Sequence, residues 1–192
     1  SDDGACSIHA ATGVRKLHSS RRDAFRPVNT QPLATVSIDE GTIEIELSEH
    51  YQKNRMQHSE REIATAASRF KSDLSIRQFM SGPWLLSAEI NEAVESNVDA
   101  LVIHGTGLGH VPIENPNEDA PQNLELRSSI QKAIDHNIPV MIVNQCIHGP
   151  VDMNVYSKGR IQQEMGILGH GLTTSPEAAI VKLHYALSTD KD

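Results

Sequence analysis

Residues 74–192 predict a small parallel α/β domain of three layers, and three observations carry that prediction. Apolar runs read as strands at Leu74–Met80, Asp99–Ile103 and Ile138–Val143, the last nearly all apolar, as a strand covered on both faces must be. Segments with apolar residues at helical spacing alternate with these runs. The second run ends abruptly in Gly105, Gly107 and Gly109 at alternate positions. That is the signature of a buried strand feeding a tight turn, because glycine accepts positive φ and close backbone approach. In open parallel sheets ligands bind at the carboxyl ends of strands, so His104, Thr106 and His110 sit where chemistry is expected, although a bare turn has the same spacing.

The remaining elements follow in order. Ser81-Gly82-Pro83 is a turn, and Leu85–Ser96 carries Leu85, Leu86, Ile90, Ala93 and Val94 at helical spacing. Residues 112–121 hold three prolines and form a loop, and Gln122–His136 is a second amphipathic helix with Leu124, Leu126, Ile130, Ala133 and Ile134. Gln145–Val155 is a loop at a strand's carboxyl end. Tyr156–Met165 is a short helix with Gly166 suited to its C-cap. Ser175 caps the last helix with Pro176 at its first position, and the stripe Ala179, Ile180, Leu183, Leu187 runs to its end. The order is β-α-β-α-β-α-α, which right-handed crossovers turn into a parallel three-layer domain.

The first part of the chain is less regular. Ala34–Ile38 and Thr42–Leu47 alternate around Asp39-Glu40-Gly41, a hairpin whose Ile side should pack and whose Glu side should face water. Residues 1–33 are rich in Ser, Arg and His. Ile8–Ala11 reads as a strand end, Thr12–Ser20 as a loop, and no core is expected there. Residues 48–73 are polar and read as a linker, with a helical turn near Glu60–Phe70.

Composition narrows the function. With 38% hydrophobic and only 4% aromatic residues, the core must be aliphatic. A net charge of −8 argues against a large nucleic-acid footprint, which needs clustered Lys and Arg. The local exception, Arg15, Lys16, Arg21, Arg22 and Arg26, reads as a solvated or ion-paired face, with a phosphate- or tRNA-facing patch as the alternative. Cys6 and Cys146 match no metal spacing and fit a reducing, cytoplasmic setting. Cys146 follows a strand without a general base beside it, so a buried packing role is expected. The histidines make no pair at metal-binding spacing with a carboxylate, so no metal site is expected. No apolar run approaches the roughly 18 residues of a membrane span, and no signal peptide is visible. The chain opens Ser-Asp-Asp, as a processed start or a piece of a longer protein would. The glycine turn also mimics a nucleotide-binding turn, but prolines and acids follow it in place of a helix.

Four stretches in register resemble the asparaginase-like amidases. They are Gly105–Val111; Gln145–Gly149 continuing through Val151–Arg160; Ser175–Ala179 with Val181–Leu183; and Val14–Lys16 followed by Ser19–Arg26 and Asn29. Ser20-Arg21-Arg22-Asp23-Ala24-Phe25 and Met153-Asn154-Val155-Tyr156 favour the branch formed by the D subunits of the archaeal glutamyl-tRNA(Gln) amidotransferases over plain asparaginases. The resemblance implies an asparaginase-type C-terminal domain over residues 74–192. Residues 1–47 would be the C-terminal remnant of a larger α/β amidase domain, with 48–73 as linker. The family's nucleophilic threonine and its Thr-Asp pair would lie upstream of Ser1, leaving Lys16 as the only match to the catalytic set and this chain inactive alone. A threonine hydroxyl needs a base nearby, and a lysine beside an aspartate can relay its proton.

The resemblance further implies a homodimer through the C-terminal domain, in which a neighbouring subunit closes the active site and the turn at Gly107–His110 approaches the substrate's amino-acid end. Many asparaginases carry asparagine at the position of His110, and a histidine can likewise hydrogen-bond a carboxylate. Asn154 and Tyr156 are further substrate-binding candidates, with a structural loop as the equal alternative. The implied function is a glutaminase whose ammonia passes to a tRNA-binding partner subunit that forms Gln-tRNA(Gln) from Glu-tRNA(Gln). ATP and Mg would sit on that partner and no cofactor on this chain. The alternatives are a cytoplasmic L-asparaginase and a non-catalytic amino-acid-binding or dimerisation module.

Overall fold

The computed structural model describes residues 4–58 and 70–189, which fall into two compact units, one up to Ala67 and one from Ser68. In the first, β1 (Ala5–Ile8) pairs antiparallel with β4 (Ala34–Asp39), which pairs with β5 (Thr42–Leu47). A single 3-10 turn, Ala11–Gly13, leads into β2 (Val14–Lys16), which pairs with β3 (Phe25–Pro27). The expected loop over Thr12–Ser20 is therefore half replaced by a ribbon, because Arg15 stands opposite Arg26 and the backbone finds its partners there. The polar helix α1 (Glu49–His58) closes the described part of this unit. The turn expected near Glu60–Phe70 lies outside the described residues, except for Phe70.

The β4–β5 hairpin forms as its alternation predicts. Glu40 and Gly41 both take positive φ, 46° and 84°, the two-residue turn that matches strand twist. The expectation that its Ile side packs is corrected. Val36 stands opposite Ile45 and Ile38 opposite Ile43, yet Ile38, Ile43 and Ile45 are 63%, 64% and 62% exposed. A pleated face is buried only if a second layer lies on it, and α1 has no apolar stripe to supply one.

The second unit follows the predicted order. Strands β6 (Ile76–Met80), β7 (Ala100–Gly105) and β8 (Val140–Asn144) form one parallel sheet in sequence order, with Phe79, Ile103 and Ile142 in register. Between them run α2 (Ser87–Glu95) and α3 (Pro121–Asp135), and after them α4 (Ser157–Glu164) and α5 (Pro176–Ser188). Strand alternation sorts the core into two layers. Leu101, Ile103, Val140 and Ile142 pack with Ile90, Val94, Leu126 and Ile130 of α2 and α3. Ala100, Val102, Met141 and Val143 pack with Ala179 and Leu183 of α5. The result is helix, sheet, helix, with both sheet faces covered, as the apolar run of β8 requires. Ser175 caps α5 as expected, its Oγ accepting from Ala178 N–H at 3.3 Å.

Candidate functional site

At the carboxyl end of β7 the chain makes a closed turn. Thr106 N–H donates to the His110 carbonyl at 2.9 Å and His110 N–H to the Thr106 carbonyl at 2.8 Å. Gly105 and Gly109 lie face to face across it, so that a Cβ on Gly105 would stand 2.5 Å from the Gly109 carbonyl carbon. Gly109 takes φ +93°, and a Cβ there would meet Val151 at 2.7 Å. The glycine pattern is thus a steric requirement of the turn.

The three strand ends are stitched beneath it. Gln145, just past β8, donates its Nε2 to the carbonyls of Ser81 at 2.7 Å and His104 at 2.6 Å. Ser81, itself buried, donates its hydroxyl to the His110 carbonyl at 3.1 Å. From α4, Gln162 reaches the backbone on both sides of His110.

His110 is 7% exposed, and its Nε2 has no hydrogen-bond partner among the described residues. The ring of Tyr156 packs against it in a T-shaped pair, the centroids 5.3 Å apart and the planes at 72°. Burial first, and then the positive charge of Lys158, lower the imidazole pKa below its ordinary 6.5, against the opposing pull of Glu114 and Asp152. The shift favours the neutral ring, whose Nε2 donates or accepts one hydrogen bond according to the tautomer. Beside it opens a cavity of about 350 Å³, lined among others by Ser81, Thr106, His110, Asn123 and Lys158. Pro83, Leu85, Val111 and Pro112 share its walls with these hydroxyl, amide, imidazole and ammonium groups, the mix of apolar surface and a few polar groups that small-molecule sites have.

The structure brings Gly107, His110 and Tyr156 to this one turn. Gly107 is its open apex, with nothing within 4 Å of a would-be Cβ. Asn154 is occupied: its side chain hydrogen-bonds His170 and Gln163, and its backbone N–H donates to Asp152 Oδ1. Lys16 belongs to the first unit, on β2, with its Nζ 5.9 Å from the centre of the Phe25 ring. In the same unit Asp23 takes hydrogen bonds from Arg21 and Arg26, so part of the basic cluster is ion-paired. The Arg21 hydrogen bond chiefly holds the Asp23 carboxyl below the usual range; a partial desolvation opposes this, and the charges of Arg21 and Arg26 add to the lowering.

Cys146 corrects another expectation. It is exposed, in the loop after β8, because Asn144 accepts its backbone N–H and turns the chain outward before the side chain can pack. Sequence reasoning missed Gln162, Ser81, Gln145 and Lys158. Gln145 and Lys158 stand in stretches that carry the family resemblance, and Gln162 left a trace of its own, a polar residue beside the partly buried Ile161 and the buried Met165. Among the described residues no group of three His, Cys, Asp or Glu is placed to hold a metal ion, and no helix is long and apolar enough to cross a membrane.

Comparison with known proteins gives the same assignment. Residues 84–192 match the model described as Glutaminase/Asparaginase C-terminal domain, and residues 4–51 match Asparaginase, N-terminal. The D subunit of glutamyl-tRNA(Gln) amidotransferase from Methanobrevibacter smithii is 32% identical over 100% of this chain and 39% of its own length. The protein of the same name from Methanopyrus kandleri is 35% identical over 99% of this chain and 38% of its own. The chain thus spans about two fifths of these relatives. The crystal structure of L-asparaginase I from Vibrio cholerae superposes with a TM-score of 0.70 at 26% identity, over 97% of this chain and 50% of that one. With one family model covering more than half of its residues and a second preceding it in order, the chain belongs to the glutaminase/asparaginase family.

Proposed function

We propose that this chain contributes the C-terminal half of a glutaminase subunit of a tRNA-dependent amidotransferase. The observation that carries the reading is the match over the whole chain to the archaeal D subunits, at 32% and 35% identity. In this reading glutamine and water give glutamate and ammonia through an acyl-threonine intermediate, with Lys16 relaying the proton of the nucleophilic hydroxyl. The ammonia passes to a partner subunit that holds the tRNA, which agrees with the acidic charge of this chain. His110, at the open turn, faces the amino-acid end of the substrate, with Gly107 leaving the approach free, and the C-terminal unit serves in a homodimer.

The test is ammonia release from glutamine and asparagine, with the partner subunit and Glu-tRNA(Gln) present or absent. The 192-residue chain alone is expected to release none. The complete protein is expected to release ammonia from glutamine, more so with partner and charged tRNA, and silence in every combination would overturn the reading. Lys16→Ala in the complete protein removes most turnover and leaves the melting temperature nearly unchanged; normal turnover in that variant would rule out the role. The superposition on L-asparaginase I supports a second reading, a free asparaginase, for which asparagine is preferred and the partner is irrelevant.

A further inference from the structure

The turn that presents His110 is held from outside itself. Gln162, on α4, is 0% exposed, and both ends of its amide are used on the backbone flanking His110. Nε2 donates to the Gly109 carbonyl at 2.9 Å, and Oε1 accepts from Val111 N–H at 2.9 Å. A carbonyl on one side and an N–H on the other fix the amide's orientation without ambiguity. We propose that Gln162 is a positioning residue, which sets where the His110 imidazole stands for the substrate; this rests on the amidase reading above.

Packing alone does not call for this residue. Its partly buried neighbour Ile161 and the buried Met165 are apolar, and an apolar side chain of similar volume would fill the site without burying a primary amide. The backbone of His110 itself is meanwhile fixed. Its N–H and carbonyl exchange hydrogen bonds with Thr106, and its carbonyl also takes the hydroxyl of Ser81. The buried Nε2 of its own ring is left without a hydrogen-bond partner among the described residues. The helix that carries the clamp also begins directly after Tyr156, whose ring packs against the imidazole. Clamp and ring therefore move together as one element, and a shift of α4 would displace both from the turn.

Two variants test this. Gln162→Met keeps the volume and loses both hydrogen bonds. Gln162→Glu, its carboxyl kept protonated by burial, restores both: the acid O–H donates to Gly109 and its carbonyl accepts from Val111. One readout is the nuclear Overhauser contact between the His110 and Tyr156 rings in the 192-residue chain, with circular dichroism reporting folding. The other is glutamine kinetics of the complete protein. Gln162→Met is expected to fold, lose the ring contact and raise KM by about tenfold with kcat within about twofold, whereas Gln162→Glu behaves like wild type. A Gln162→Met variant with the wild-type ring contact and KM overturns the proposal. So does a loss of kcat alone in both variants. If Gln162→Met does not fold, a folded Gln162→Glu decides: retention of the contact supports the clamp and its loss overturns it. Failure of the amidase reading is separate, since a wild-type protein that releases no ammonia leaves the ring contact as the measure of the clamp.

Discussion

Gly109 and Gly107 both lie in the left-handed region, but they differ in what a side chain would meet. At Gly107 (φ +54°) there is only open space, so Gly107→Ala should cost about 1 kcal/mol, the price of the backbone conformation alone. At Gly109 a methyl group meets Val151 at 2.7 Å and Ile142 at 3.0 Å, both core residues with no room to retreat, so Gly109→Ala should cost about 3 kcal/mol. Urea denaturation of the two variants separates them; equal midpoints would mean that the turn relaxes away from the core. His110 yields a pH prediction. Burial and Lys158 lower its folded-state pKa, so as the pH falls the unfolded chain takes up its proton first. The stability due to the neutral ring is complete above the ordinary value of 6.5 and is lost as the pH drops below it, until the folded ring protonates too. His110→Asn should therefore flatten the dependence of the urea midpoint between about pH 5 and pH 8. An unchanged slope would assign that dependence to other groups.

At the scale of elements, legibility depended on whether the signal was local. The Ser175-Pro176 start of α5 and the alternation of the hairpin are written in adjacent residues, and both elements form where they are expected. The strand ends shift by one or two residues, since pairing partners decide them. What could not be read was anything fixed by distant residues. The fate of the Ile face depends on a layer that α1 does not provide, and the outward turn of Cys146 depends on an Asn144 hydrogen bond. The clamp on the glycine turn joins residues more than fifty positions apart. The hairpin also carries a correctable local conflict: Glu40 takes φ 46°, a conformation that asparagine tolerates better. Glu40→Asn should stabilise the first unit by roughly 0.5 kcal/mol, seen as a higher denaturation midpoint of its β-signal, and a lower midpoint would mean that the Glu40 side chain makes a contact that matters.

At the scale of the molecule, the two units differ in what holds them. Among the described residues of the first unit, the buried apolar side chains are Ala24, Val28 and Ala34, all small, whereas Ile38, Ile43 and Ile45 stand in water. The second unit buries Ile90, Leu101, Ile103, Leu126, Ile130 and Ile142 almost completely, on a sheet covered on both faces. At roughly 25 cal/mol per Å² of apolar surface removed from water, the driving force for folding lies overwhelmingly in the second unit. Local opening of the first unit should therefore be frequent and that of the second rare, and a protease cuts open segments. Limited proteolysis of the 192-residue chain should remove the first unit and leave a fragment that begins near residue 70 and retains a cooperative thermal transition. A chain equally resistant throughout would mean that the exposed Ile face is covered in solution, and the oligomeric state measured on the same sample would then show whether a second copy covers it.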